Sequence, residues 1–173
     1  MDKKITIEIH GYAQQIVKNT FGSQAEIKGF EWAAGGLYCK VFKINTTYGD
    51  FILKMECDKI FFAIRKDQIE NDVIGHSIFQ KAGIPCADIL AYDFTKKDIG
   101  VKYVLMEYIN DTHFFDDGNV RRSFDEMTKE EIYRQYKMII EKLRTITNSH
   151  FGSLSQSGML AGIKPMTTII IRH

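Results

Sequence analysis

The residues of this sequence best suited to chemistry lie between Gly35 and Lys54. Gly35 and Gly36 open the stretch, Gly49 and Asp50 are a turn signal in its middle, and Lys54 ends it. Because glycine has no Cβ, backbone N–H groups can approach a phosphate closely at such a pair. A lysine ammonium can pair with the same phosphate. The pattern therefore predicts a β-hairpin that binds the phosphates of a nucleotide.

The strand that ends in Lys54 has two different faces. Side chains alternate along a strand, so Ile52 and Lys54 share one face while Phe51, Leu53 and Met55 share the other. An apolar residue two positions before a lysine predicts an adenine-packing surface beside a phosphate-binding cation. The alternative is a lysine that only extends its charge into solvent at a sheet edge.

A glutamate 16 positions further on, Glu70, is the expected partner of this lysine. A carboxylate on a helix behind the sheet would keep Lys54 extended towards a phosphate. Two alternatives stay open. Asp67 and Glu70 also fit a helix capping box, and Gly35-Gly36 also fits an ordinary turn.

Five strands are expected to carry these residues, at positions 25–32, 37–45, 51–55, 87–94 and 101–108. Helices are expected at 11–21 and over the region 58–81, which Gly83 and Pro85 end. The order of three strands, a helix and two strands favours an α+β fold. We expect one five-stranded antiparallel sheet with a packed helix.

A further helix is predicted over residues 128–148. Thr128 and Glu131 fit a capping box, and apolar residues then repeat at helical spacing: Ile132, Tyr136, Ile139, Leu143 and Ile146. Residues 110–127 are expected to form a linker, and an irregular tail follows the helix to residue 173.

The composition excludes several classes of protein. The 173 residues suit one domain or slightly more, and a formal net charge of +1 gives no field for nucleic acid. No apolar run is long enough to cross a membrane, and the N-terminus has no secretory signal. Three cysteines without a CxxC pair favour a reducing compartment, so we expect a cytoplasmic protein.

Six short motifs occur in an order that resembles the aminoglycoside phosphotransferase family. They are GG-x5-F (35–42), FILK (51–54), Glu70, AGIPCADIL (82–90), YVLMEYI (103–109) and HFGSL (150–154). The resemblance implies a protein-kinase-like fold, with the N-terminal lobe at 1–109 and part of the C-terminal lobe at 128–173.

The same resemblance implies a role for each site residue. Gly35 and Gly36 would belong to the nucleotide loop, Lys54 would contact the α- and β-phosphates, and Glu70 would hold Lys54. The base of ATP or GTP would lie between Val41 and Ile52, with Met106 behind it. The backbone of Glu107 and Ile109 would hydrogen-bond the edge of the base.

The catalytic part of that family is not found in this sequence. The family uses a His-Gly-Asp loop with a downstream asparagine and a metal-binding aspartate, and none of the five histidines begins such a loop: His10, His76, His113, His150 and His173. We therefore expect no catalytic residue, no Mg²⁺ ligand and a chain truncated before the catalytic loop. The expected function is that of an ATP- or GTP-dependent small-molecule phosphotransferase, present as a fragment unable to transfer phosphate alone.

An alternative function belongs to a different class. The chain could be a non-catalytic nucleotide-binding or interaction module, with the helix at 128–148 and the tail as a surface for self-association.

Overall fold

A computed structural model describes residues 3–33, 39–56, 68–110, 115–116, 120–121 and 125–147. The helices are α1 (Lys3–Phe21), α2 (Gln68–Lys81) and α3 (Glu126–Thr145). The strands are β1 (Ile27–Trp32), β2 (Cys39–Thr46), β3 (Gly49–Glu56), β4 (Ile89–Asp93), β5 (Tyr103–Glu107), β6 (Phe115–Asp116) and β7 (Val120–Arg121).

Strands β1 to β5 form one antiparallel sheet in the order β1-β2-β3-β5-β4. This confirms the α+β class and the five-stranded sheet. The β2–β3 turn is tight because Gly49 adopts a φ of 121°, in the left-handed region that glycine tolerates. The Thr46 hydroxyl donates to the Gly49 carbonyl at 3.0 Å and fixes the turn.

One face of the sheet is covered by α1. The buried residues of α1 recur at helical spacing, and they meet the buried side chains of β2, β3 and β5 in one apolar core: Ile9, Ala13, Ile16, Val17, Phe42, Ile44, Phe51, Leu53, Met55, Tyr103 and Leu105. This helix begins at Lys3, earlier than the expected start at residue 11.

The opposite face carries α2. Ile69 and Val73 of this helix are buried against Cys39 and Val104 of the sheet. Helices therefore cover both faces of the sheet, whereas the sequence predicted a single packed helix. The expected beginning of α2 at residues 58–67 lies outside the described residues.

The end of α2 follows from its glycine. Gly83 adopts a φ of 66°, the Ile84 N–H donates to the Phe79 carbonyl at 2.9 Å, and the Gly83 N–H donates to the Gln80 carbonyl at 2.9 Å. These two bonds are the hydrogen bonds of a Schellman cap.

Helix α3 is capped by a residue that the sequence pattern did not single out. The Asp125 carboxylate accepts hydrogen bonds from the Thr128 N–H at 2.7 Å and the Thr128 hydroxyl at 3.0 Å. The helix thus starts at Glu126, and the capping box expected at Thr128 and Glu131 is replaced by an Asp125 cap.

Two further features bear on the expected organisation. The short β6–β7 pair falls within residues 110–127, where a linker was expected. None of the helices in the described ranges combines the length and the apolar character needed to cross a bilayer.

Candidate functional site

Lys54 lies on the α2 face of β3, as strand alternation predicts. Phe51, Leu53 and Met55 of the same strand are buried in the core beneath α1, so Lys54 points to the opposite face. Its ammonium forms an ion pair with the carboxylate of Asp72 in α2. The second oxygen of Asp72 accepts a hydrogen bond from the Gln68 amide at 2.8 Å. A carboxylate from the helix therefore holds this lysine.

The partner of Lys54 is not the expected one. Glu70 pairs instead with Lys102, with 2.6 Å between its Oε1 and the Lys102 Nζ. The expected Lys54–Glu70 pair is therefore wrong. A carboxylate of α2 does hold Lys54, but it belongs to Asp72, two positions after Glu70.

The geometry of a helix explains the exchange of partners. An α-helix turns about 100° per residue, so Glu70 and Asp72 lie about 80° to either side of the direction shared by Ile69 and Val73. Ile69 and Val73 are the buried seam of α2. The two carboxylates thus flank this seam, and each can reach a lysine on its own side. Spacing along the sequence cannot tell which of the two faces Lys54.

Three predicted apolar residues lie around Lys54 on the same face. Val41 is opposite Lys54 in the β2–β3 ladder, and Ile52 is opposite Met106 in the β3–β5 ladder. Val41, Ile52 and Met106 are all half-buried. Val41 and Met106 pack against the small core that Val104 shares with α2. The structure therefore places the Lys54 ammonium beside a partly exposed apolar surface.

The two predicted hinge residues lie at the end of β5. The Glu107 N–H donates to the Asp88 carbonyl at 2.8 Å, and its carboxylate accepts from the Asp88 N–H at 3.3 Å. These bonds join the end of β5 to the segment before β4. The side chain of Ile109 is 52% exposed just beyond the strand. Gly35 and Gly36, the predicted phosphate loop, lie outside the described residues.

A second cation occupies the same face near the hinge. Lys43 Nζ lies 3.9 Å from the centre of the Tyr108 ring and 3.4 Å from the Asp50 carboxylate. Desolvation opposes the charge of Lys43, but hydrogen bonds to Asp50 and Tyr108 outweigh it and raise the pKa of the lysine. The sequence pattern did not single out this cluster, because its members come from β2, β3 and the chain after β5.

Asp72, Gln68 and Lys102 are the residues that sequence reasoning missed at this site. The sequence shows an acidic residue on each side of the apolar Ile69–Val73 seam. Either of these carboxylates could hold a lysine, so the sequence could not single out Asp72. Among the residues that the structure describes, no group of three or more His, Cys, Asp or Glu side chains could hold a metal ion.

These elements define an α+β protein whose antiparallel sheet is covered by helices on both faces and presents a helix-held lysine on one of them. No protein-family model and no curated protein matches the chain.

A solved structure does resemble it. The crystal structure of a protein from Ralstonia eutropha JMP134, provisionally assigned as an aminoglycoside phosphotransferase, aligns with a TM-score of 0.57 at 16% sequence identity. The alignment covers 82% of this chain and 38% of that protein. This chain thus spans less than half the length of the Ralstonia protein. At this identity the similarity shows a common fold.

Proposed function

We propose that this chain binds a nucleoside triphosphate, ATP or GTP, on the α2 face of its sheet. Lys54 would pair with the phosphates, and Val41, Ile52 and Met106 would contact the base. The observation that carries this proposal is the ion pair between Lys54 and Asp72 beside a partly exposed apolar surface. Protein kinases hold their phosphate-binding lysine in the same way, from a helix carboxylate.

The kinase-like lobe assignment forms part of this proposal. The order β1-β2-β3-β5-β4 with α2 beside β3 supports a kinase-like N-terminal lobe. In such a lobe Glu107 and Ile109 would form the hinge that reads the base. The Ile109 N–H has no hydrogen-bond partner within the described residues, which leaves it able to donate to a base.

The proposed reaction class is phosphoryl transfer to a hydroxyl of a small molecule. The fold shared with the Ralstonia protein supports this class. Transfer needs a base for the acceptor hydroxyl and ligands for the metal. Because no histidine of this sequence begins a His-Gly-Asp loop, we assign nucleotide binding to these 173 residues and name no catalytic residue. Free thiols at Cys39 and Cys86 suit the cytoplasm, where such a protein would meet ATP.

A thermal-shift titration with ATP·Mg²⁺ and GTP·Mg²⁺ tests nucleotide binding. A ligand at one hundred times its Kd stabilises the folded state by about 2.7 kcal/mol, so Tm should rise with nucleotide concentration. Lys54→Met should abolish the rise and leave a folded protein, because this lysine is outside the core. Lys28→Met, at an exposed position of β1, is the matched control and should keep the rise. An unchanged Tm of the wild-type protein at millimolar nucleotide would contradict the proposal.

Self-association through α3 is a second candidate function, and a specific observation favours it. No described residue of α3 is buried, and several of its large side chains are open to solvent: Met127 is 79%, Tyr133 73% and Tyr136 63% exposed. A groove of about 330 Å³ lies between Pro85 and the helix, with Met138 and Ile139 in its wall. We propose a second copy of this chain as the occupant of this surface.

Sedimentation equilibrium tests that candidate. Wild-type protein should show a concentration-dependent dimer that Tyr136→Glu dissociates. Tyr48→Glu, at an exposed tyrosine of the β2–β3 turn, should leave the dimer intact. A monomer throughout the accessible concentration range would contradict self-association.

A further inference from the structure

Lys102 connects three elements of the fold at the edge of the candidate site. Its N–H donates to the Glu56 carboxylate at 3.1 Å, and its carbonyl accepts from the Glu56 N–H at 3.0 Å. Its ammonium reaches α2 and pairs with Glu70 at 2.6 Å. One residue thus joins the end of β3, the beginning of β5 and the first turn of α2.

This ion pair is more enclosed than the one at the candidate site. The side chains of Lys102 and Glu70 are 16% and 14% exposed, compared with 23% and 18% for Lys54 and Asp72. Charges that are largely removed from water interact more strongly than exposed ones, provided that both partners remain in place. The Lys102–Glu70 pair is therefore suited to fix the position of α2 on the sheet.

The two ion pairs act on opposite sides of α2. Lys54 holds Asp72 on one flank of the Ile69–Val73 seam, and Lys102 holds Glu70 on the other flank. A rotation of α2 about its axis that lifts Asp72 away from Lys54 would also strain the bond on the other flank. Two contacts on opposite flanks therefore restrict this rotation, which a single contact would permit.

We propose that Lys102 is a positioning residue for Lys54, acting through Glu70 and the orientation of α2. Its effect on nucleotide affinity rests on the proposed function, whereas its effect on Lys54 does not. Without the Lys102–Glu70 bond, α2 rotates more freely and Asp72 holds Lys54 for a smaller fraction of the time.

The test combines a neutral double variant with a chemical probe of Lys54. Lys102→Met alone leaves Glu70 enclosed without its cation, so Lys102→Met/Glu70→Gln removes the whole pair and leaves no enclosed charge. Lys102→Arg keeps a cation and should restore the wild-type behaviour. Lys96→Met is the matched control, because Lys96 pairs with Glu56 at 2.5 Å on the same turn and makes no ion pair with the described residues of α2.

The probe is the rate at which a lysine-acylating reagent modifies Lys54, measured by mass spectrometry relative to the exposed Lys28. A carboxylate that holds the ammonium shields it from the reagent. The relative rate at Lys54 should increase about three- to tenfold in Lys102→Met/Glu70→Gln, as expected for contacts within one network. It should stay at the wild-type value in Lys102→Arg and Lys96→Met. Unfolding would also expose Lys54 and raise this ratio, so the Tm and the circular dichroism spectrum of each variant are measured alongside and should be those of a folded protein.

Two separate outcomes distinguish the two proposals. An unchanged Lys54 ratio in the double variant would overturn the positioning role, whatever the protein does with ATP. An increased ratio in a protein that shows no ATP-dependent rise in Tm would support the positioning role and contradict nucleotide binding. If both proposals hold, the affinity for ATP falls in the double variant by a factor similar to the increase in labelling.

Discussion

One carboxylate oxygen of Asp72 in α2 accepts a hydrogen bond from the ammonium of Lys54 in β3. The other oxygen accepts a hydrogen bond from the Gln68 amide at 2.8 Å. Both oxygens of this carboxylate are thus engaged, which fixes its orientation as well as its charge. A lysine held in this way keeps its ammonium on the face where Val41 and Ile52 are partly exposed.

Removing the charge of Asp72 should weaken nucleotide binding. Asp72→Asn keeps the shape of the side chain but loses a charge-assisted hydrogen bond, so the affinity for ATP should fall about tenfold. Isothermal titration calorimetry measures this change. Gln68→Met, which removes only a neutral donor to the same carboxylate, should cause a smaller loss. Equal affinities of Asp72→Asn and the wild-type protein would contradict the role of this ion pair.

Acid should weaken the turn between β4 and β5 through Asp93. Burial raises the pKa of this carboxyl, but hydrogen bonds from Thr95, Asp98 and Lys97 outweigh burial and lower the pKa below its usual 3.8. A lowered pKa in the folded state stabilises the protein above the pKa of the unfolded state. This contribution is lost as the pH falls through the folded-state value.

Urea unfolding at pH 7 and at pH 3 measures the effect. Asp93→Asn should reduce the free energy of unfolding by about 1–2 kcal/mol at pH 7, because a charged acceptor is lost. The same variant should differ less from the wild-type protein at pH 3. Asp88→Asn, on the exposed segment before β4, is the control. A constant difference between Asp93→Asn and the wild-type protein at both pH values would refute the titration of Asp93.

Two glycines should respond in opposite ways to the same substitution. Gly11 lies inside α1, and the position that an alanine methyl group would take there is open space, so Gly11→Ala should stabilise the protein by about 0.5–1 kcal/mol. Gly83 has a φ of 66° at the end of α2, where an alanine is strained, so Gly83→Ala should destabilise by about 1 kcal/mol. Chemical denaturation measures both. A shift of the same sign for the two variants would contradict the assigned helix end.

The cap of α3 gives a test that separates the observed helix start from the expected one. Asp125→Ala removes the acceptor of the Thr128 N–H and should lower the Tm and the helical circular dichroism signal. Glu131→Ala removes the 2.6 Å ion pair with Arg134 on the surface and should cause a smaller change. The reverse order of the two effects would favour the capping box at Thr128 and Glu131.

The sequence alone determined the strands and their faces. The alternation of Phe51, Leu53 and Met55 with Ile52 and Lys54 sufficed to orient β3, because a strand has only two faces and one of them must be apolar to be buried. The order of three strands, a helix and two strands likewise predicted the sheet.

Tertiary structure alone decided which charges meet. Glu70 and Asp72 lie at similar angles from the buried seam of α2, so local spacing leaves both able to hold a lysine. The choice depends on how α2 lies on the sheet, and the Lys102–Glu70 bond at its first turn is part of that placement. Lys54, Asp72 and Lys102 come from three different elements of the fold, so their pairing follows from how these elements pack and not from any local pattern.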